Sequence, residues 1–146
     1  MHAALALTVA LATPWLWPIE APHAIIRPFI APATPYSAGH RGIDIAADDT
    51  EVRAPADGVV HFAGVVVDRP VLSIRHGDGV ITSYEPIETD LATGDTVSRG
   101  DPIGRVIPGH CASVCLHFGV RLDGQYLSPL VYLAGIDRAV LLPTRR

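Results

Sequence analysis

Two short segments carry side chains that could bind a metal ion. His40 and Asp44 are four residues apart, so an imidazole and a carboxylate share one side of an extended segment. His117 alternates with Leu116 and Phe118, so it faces away from the core that these apolar residues predict. Catalytic zinc sites use three protein ligands and keep one position open. The pattern predicts zinc bound by His40, Asp44 and His117; the competing interpretation is a surface turn and a hydrogen-bonded strand histidine.

Cys111 and Cys115 also bear on this chemistry. Residues four apart on a strand are about 13 Å apart, so a disulfide requires residues 112–114 to curl back as a turn. In an exported protein the pair is expected to be a disulfide. Two alternatives stay open: Cys115 could be a fourth zinc ligand that closes the open position, or a free thiol nucleophile.

The composition narrows the class of protein. The chain has 146 residues, which suits one domain, and its 49% hydrophobic content excludes intrinsic disorder. All eleven basic residues are arginine, so Schiff-base lysine chemistry and biotinyl or lipoyl carriers are excluded. A net charge of −4 argues against nucleic acid as a partner.

The elements that must position these residues are short strands separated by turns. Thirteen glycines and thirteen prolines favour many turns and few long helices. Residues 59–63 predict a buried strand, residues 115–121 predict the last clear strand, and residues 129–133 are the only helical candidate. The chain is therefore predicted to be all-β.

The two ends of the chain are predicted to lie outside the domain. Residues 1–12 are apolar and end in a small-x-small pattern, which predicts a signal peptide although no basic residue precedes the apolar run. Residues 13–35 are proline-rich and predict an extended N-terminal arm. Residues 36–134 form the predicted domain, and residues 135–146 a C-terminal tail. Export places the expected location outside the cytoplasm, secreted or in the cell envelope.

Taken in order, the motifs resemble the lysostaphin/LytM-type zinc metallopeptidases. His40 and Asp44 fit the family's H-x-x-x-D motif, and His117 fits the second histidine of its H-x-H motif. The resemblance covers roughly residues 36–133. It implies an antiparallel β-sandwich of the duplicated hybrid motif type, zinc as the metal, and cleavage of peptidoglycan peptide bridges by a zinc-activated water.

The sequence departs from the family at two catalytic positions. Cys115 stands where the first histidine of H-x-H would be, and Pro86 replaces the histidine of T-x-Y-x-H, so neither can transfer a proton as histidine does. Glu85 is expected on the strand face opposite Pro86 and therefore away from the site. Only a β-bulge would bring its side chain to the site. His110 is the candidate substitute, because a loop can aim it at the metal. The same substitutions resemble an actinobacterial branch of the family with Y-E-P and C-L-H at these places.

Two further histidines and Arg41 lie outside the predicted ligand set. His76 is expected to be an exposed turn residue, and the orientation of His61 is left open. Arg41 is expected either near the groove, facing acidic stem peptides, or as a solvated surface residue.

Two functions remain. The leading one is an exported zinc metalloendopeptidase acting on peptidoglycan stem or bridge peptides, expected to be a monomer. The alternative is a catalytically silent LytM-like module that binds wall peptides or activates a partner hydrolase. A phosphotransfer domain is disfavoured, because it would need two histidines across a pocket.

Overall fold

The computed structural model describes residues 13–48 and 50–133 of the chain. Eleven short strands and one turn of 3-10 helix make up its regular structure. The strands are β1 (Ile25–Arg27), β2 (Ile43–Ala46), β3 (Glu51–Arg53), β4 (Gly58–Val66), β5 (Arg69–His76), β6 (Ile81–Glu85), β7 (Ile87–Glu88), β8 (Thr96–Val97), β9 (Pro102–Val106), β10 (Cys115–Leu122) and β11 (Gln125–Leu127). The 3-10 turn spans Pro129–Val131 and begins at a proline, whose fixed φ suits a first helical position.

The strands form two antiparallel sheets. The larger sheet has the order β1-β2-β10-β6-β5-β4-β8, with β11 paired to β10, and the smaller one has the order β3-β9-β7. The hairpins β4–β5 and β5–β6 join neighbouring strands of the larger sheet through short turns. These sheets confirm the predicted all-β, antiparallel sandwich, and in the described residues the 3-10 turn is the only helical element.

Both sheets contribute to one hydrophobic core. Strand β10 lies centrally between β2 and β6, and its first six residues are all buried. Val52, Ile87 and Ile103 of the smaller sheet belong to the same core as Ile43 and Phe118 of the larger one. Because β2 and β10 are held from both sides, the side chains they carry on the other face have a rigid support.

The proline-rich segment 13–35 lies against the sandwich. Its strand β1 pairs with β2 at the edge of the larger sheet. Farther along, the backbones of Ile30 and His40 exchange two hydrogen bonds of 3.0 and 2.8 Å. The predicted signal peptide (1–12) and C-terminal tail (135–146) lie outside the described residues. In the part that is described, no helix has the length and hydropathy needed to cross a membrane.

Two local predictions are wrong. Residues 59–63 form a strand as expected, but only Val60 in it is buried; Val59 and Phe62 are 42% and 38% exposed. His76 is not an exposed turn residue, since it is 5% exposed and ends β5. The strand runs one residue farther than the turn signal indicates, and the antiparallel register places the His76 side chain on the core side.

Candidate metal centre

The centre is assembled where β2 meets β10. The antiparallel register sets Asp44 of β2 directly opposite His117 of β10, so both side chains project from the same face. His40 precedes β2 and is fixed by its backbone pairing with Ile30. Gly42 allows the close approach, because a Cβ there would lie 2.7 Å from Nε2 of His117 and 2.4 Å from the carbonyl oxygen of Phe118.

Three histidine rings converge on one carboxylate oxygen. Oδ1 of Asp44 lies 2.7 Å from Nδ1 of His117, 3.1 Å from Nε2 of His40 and 3.1 Å from Nε2 of His110. The four ligand atoms lie within 4.8 Å of one another. His40, Asp44 and His117 are buried, and His110 is partly buried. The structure therefore brings together the three predicted ligands and the candidate His110.

The proton positions in this cluster fit a bound cation. Nδ1 of His40 lies 2.7 Å from the carbonyl oxygen of Pro28, which can only accept, so Nδ1 carries the proton. In the neutral ring Nε2 then presents a lone pair to Oδ1 of Asp44. Two lone pairs facing each other at 3.1 Å repel unless a cation or a proton lies between them. Two imidazoles and a carboxylate are ligands that zinc accepts.

The charge on Asp44 is stabilised although the residue is buried. Burial alone would raise the pKa of this carboxyl, but the hydrogen bond from His117 and the charges of the nearby histidines outweigh it and hold the pKa below its usual value of 3.8. For His110, burial lowers the pKa of the ring; the charges of Asp44 and Glu85 oppose this, whereas the electrostatic interactions with His117 and Arg69 lower the pKa further. Asp44 is therefore an ionised carboxylate that can bind a cation, and the neighbouring His110 ring is neutral.

A disulfide and an arginine hold the loop that carries His110. Cys111 and Cys115 form a disulfide across a Cα–Cα distance of 5.9 Å, so the thiol of Cys115 is not available as a zinc ligand or a nucleophile in this structure. Nη1 of Arg69 donates to Nδ1 of His110 at 2.8 Å. The curled loop thus tethers the residue next to His110 to the first residue of β10.

Glu85 lies on the site face, contrary to expectation. The alternation along β6 is as expected, with Thr82 and Tyr84 on one face and Glu85 on the other. The register, however, pairs Tyr84 with Phe118 in the core and Glu85 with His117 at the centre. Oε1 of Glu85 is 3.9 Å from Nδ1 of His110. Pro86 is buried and carries no polar side-chain atom toward the centre.

A groove of about 520 Å³ runs along the sheet from the centre. It meets the cluster at His117 and Glu85, and its floor continues over Ser83 to Arg121. The Arg41 guanidinium stands over the Tyr126 ring at 5.6 Å and donates to the Pro35 and Ser37 carbonyl groups, so Arg41 belongs to the groove wall. His61, whose orientation was left open, also lines the groove.

Three contributors to this site were not predicted from the sequence. Arg69 is forty-one residues from His110, and no motif connects them. The carbonyl group of Pro28, which orients His40, belongs to the backbone of the segment 13–35, for which the sequence predicted only an extended arm. Arg121 reaches the groove because of the β10 register; the alternation from His117 was the signal that could have placed it on this face.

Comparison with known proteins agrees with this geometry. The profile of Peptidase family M23 matches residues 38–129, which include all four residues of the cluster. An uncharacterized protein of Mycobacterium tuberculosis is 40% identical over 122 residues, covering 78% of this chain and 49% of that protein. The chain therefore spans about half the length of this relative.

The chain is also similar to two named proteins and to one solved structure. The DD-carboxypeptidase/endopeptidase Mpg of Neisseria meningitidis is 36% identical over 108 residues, which cover 72% of this chain and 23% of that protein. The murein hydrolase activator NlpD of Escherichia coli is 32% identical over 123 residues, covering 82% and 31%. The structure of Helicobacter pylori Csd3 superimposes with a TM-score of 0.70 at 26% identity, covering 84% of this chain and 35% of that one.

Proposed function

The chain belongs to peptidase family M23, and from this premise we propose that it is a zinc-dependent endopeptidase acting on peptidoglycan peptides outside the cytoplasm. The observation that carries the proposal is the convergence of His40, His117 and His110 on Oδ1 of the buried Asp44. In the neutral ring, Nε2 of His40 directs a lone pair at this carboxylate, and a cation between the two would complete the arrangement. The relatives named as a murein hydrolase activator and a DD-carboxypeptidase/endopeptidase support the substrate class and the location.

His40, Asp44 and His117 would hold the zinc. When bound, the ion would supply a Lewis acid for the peptide carbonyl and lower the pKa of a water. The chain's own part is to keep these side chains fixed: Pro28 orients His40, and the strand pairing fixes Asp44 against His117. Such outer partners typically carry a tenfold to hundredfold effect on metal affinity or activity, as a rough guide.

The missing family histidines leave room for other groups. Cys115 is bound in the disulfide and Pro86 is buried, so neither can act on substrate. His110 and Glu85 lie beside the centre, and Glu85 also lines the groove. We propose that His110 and Glu85 take over the polar contacts with substrate that the two histidines make in other members of the family.

The groove suggests how a stem peptide would lie. Along β10, Arg121 follows His117 by four residues, which is about 13 Å on an extended strand. Arg121 makes no hydrogen bond or ion pair with any described residue, so its guanidinium is available for a carboxylate of the substrate. An extended peptide lying along the groove with one end at His117 would reach Arg121 about four residues away.

The second candidate function is a silent module that activates a partner hydrolase. It is favoured by the replacement of both family histidines with Pro86 and Cys115, and by the similarity to NlpD. In this case the centre would hold zinc only to fix the fold around the groove. The two functions differ in whether the chain alone cleaves a peptide.

The deciding experiment measures zinc content and peptide cleavage together. The full chain, loaded with one equivalent of zinc, is incubated with purified peptidoglycan and the released peptides are identified. His40→Ala is the test variant, and His23→Ala, in the proline-rich segment, is the matched histidine control. We expect cleavage by the wild type and by His23→Ala and none by His40→Ala. Equal rates in wild type and His40→Ala would reject the peptidase; stimulation of a purified wall hydrolase by the wild type would then support the activator.

A further inference from the structure

We propose that His110 serves as a hydrogen-bond donor aimed into the metal centre and not as a fourth metal ligand, and that Arg69 is the positioning residue that fixes it in this role. The role in substrate binding rests on the proposed function, whereas the proton position does not. The four-residue cluster alone would equally suit a closed site with four ligands, in which no position remains for substrate.

Arg69 decides which nitrogen of His110 carries the proton. A guanidinium has five N–H donors and no acceptor, and its Nη1 lies 2.8 Å from Nδ1 of His110. Nδ1 must therefore present its lone pair to Arg69. In the neutral ring the proton is then on Nε2, which lies 3.1 Å from Oδ1 of Asp44 and donates to it. Because Arg69 occupies Nδ1, this proton cannot move to the other ring nitrogen, so Nε2 of His110 is not available to bind a metal ion.

His40 has the opposite arrangement around the same oxygen. The Pro28 carbonyl accepts from Nδ1 of His40 at 2.7 Å, so Nε2 of that ring keeps its lone pair. Both Nε2 atoms lie 3.1 Å from Oδ1 of Asp44. One ring is set as a ligand and the other as a donor, because one is oriented by a carbonyl group and the other by a guanidinium.

The Arg69–His110 pair is held in place from several sides. Arg69 is the first residue of β5, and its Nε lies 3.4 Å from the Asp68 carboxylate. The His110 ring packs against the His117 ring with centroids 4.9 Å apart. The Cys111–Cys115 disulfide then anchors the adjoining residue to β10. The donor is thus preorganised, which is what a group that stabilises developing charge requires.

The chemical role follows from the direction of the N–H bond. Nε2–H points to the place where the ligand atoms converge, so a carbonyl oxygen of a bound peptide at this place would accept its hydrogen bond. A preorganised donor of this kind is typically worth about 10²–10³-fold in rate. His110 would therefore supply, from the disulfide loop, a donor of the kind lost at Pro86 and Cys115.

The first test reads the proton position directly. In metal-free, ¹⁵N-histidine-labelled full chain, long-range ¹H–¹⁵N NMR reports which ring nitrogen is protonated. We expect the Nε2–H tautomer for His110 and the Nδ1–H tautomer for His40. The Nδ1–H tautomer at His110 would overturn the proposal, and this reading does not depend on whether the protein cleaves peptides.

The second test asks which rings bind a metal. The same labelled protein is loaded with ¹¹³Cd²⁺, whose one-bond coupling to ¹⁵N marks every histidine ligand. We expect coupling at His40 and His117 and none at His110. Coupling at His110 would overturn the proposal. If the wild type binds no metal at all, the proposed function fails while the tautomer measurement still decides the present inference.

Substitutions at Arg69 test whether this residue fixes the tautomer of His110 or only contributes to the stability of the fold. Arg69→Met removes the donor, so His110 is expected to gain a population of the Nδ1–H tautomer and, with ¹¹³Cd²⁺, a coupling. Arg69→Lys, which can still donate, should restore the wild-type pattern. Arg75→Met is the matched control, because Arg75 on the same strand donates to Nδ1 of His61 at 3.0 Å and lies outside the cluster. An unchanged His110 tautomer in Arg69→Met would overturn the role of Arg69.

A kinetic comparison completes the test. If the peptidase is active, His110→Ala should lower kcat by about 10²–10³-fold with metal content unchanged. Arg69→Met should lower kcat by a smaller factor, about 10–100-fold, and Arg69→Lys should recover most of it. A His110→Ala variant with wild-type kcat would contradict the donor role.

Discussion

Two buried histidine clusters lie on opposite faces of the larger sheet, and their hydrogen bonding differs. On one face, His117 and its neighbours converge on a single oxygen of Asp44. On the other face, His76, Thr82 and Tyr84 form a chain: Nε2 of His76 lies 2.9 Å from Oγ1 of Thr82, which lies 2.8 Å from the Tyr84 hydroxyl. Nδ1 of His76 donates to the Asp57 carbonyl at 2.8 Å.

The difference lies in how the donors and acceptors are matched. In the His76 chain each polar atom has a partner of the opposite kind, so the chain is complete without any added group. In the Asp44 cluster three nitrogens share one oxygen, and the His40 nitrogen faces it without a proton. Burial of histidine alone therefore does not indicate a metal site; a ring nitrogen that directs its lone pair at a buried carboxylate oxygen does.

The largest effect should come from removing the charge on which the Asp44 cluster converges. Asp44→Asn keeps the shape of the side chain but removes the anion, so we expect zinc affinity to fall by more than about 100-fold, beyond what loss of an outer partner usually costs. Chelator competition measures the affinity. The matched control is Asp78→Asn, which removes the carboxylate whose charge raises the pKa of His76. Equal losses in the two variants would abolish the distinction between the clusters.

The ligand residues were predictable because chemistry and spacing agreed. His40 and Asp44 are close in the chain, and His117 lies on a strand whose alternation is clear from its apolar neighbours. His110 could be proposed only as a loop residue able to reach the site. Its assignment as a candidate catalytic residue stays a prediction.

The remaining features depend on strand register, which the sequence did not determine. Glu85 was placed away from the site because the face of Tyr84 was taken as the site face, whereas Tyr84 pairs with Phe118 in the core. A one-residue change of register moves every side chain to the other face. His76 was misjudged for a related reason, because its neighbouring glycine predicted a turn one residue too early. The role of Arg69 could not be predicted, because it depends on a contact with His110 in a distant segment of the chain.

An intermediate effect is expected from breaking the His76 chain. Thr82→Val is nearly isosteric, but it leaves the Tyr84 hydroxyl and Nε2 of His76 without their partner in the core. We expect the free energy of unfolding to fall by about 2–4 kcal/mol, measured by urea denaturation, with zinc affinity unchanged. The control is Thr96→Val, an exposed threonine of β8, which should change stability by less than about 0.5 kcal/mol. A loss of zinc affinity in Thr82→Val would show that the two clusters are coupled.

The smallest effect is on the pH dependence of stability, and its sign follows from burial. Burial lowers the pKa of His76 below 6.5, and the Asp57 hydrogen bond together with the charges of Asp78 and Asp57 offsets this only in part. Above pH 6.5 the ring is neutral in the folded and unfolded states, so its contribution is fully present. As the pH falls below 6.5 the unfolded chain takes up the proton first, and stability decreases until the pKa of the folded state is passed.

His76→Gln should remove this part of the pH dependence. Urea denaturation of the zinc-loaded protein between pH 5 and 7.5 would compare the variant with the wild type, and the variant's free energy of unfolding should change less steeply below pH 6.5. The Asp44 cluster is the same in both proteins, so the difference in slope between them isolates His76. Identical slopes would mean that the His76 ring takes up its proton at the same pH in the folded and the unfolded protein, and the contrast between a cation-binding and a self-sufficient cluster would then fail on the core side.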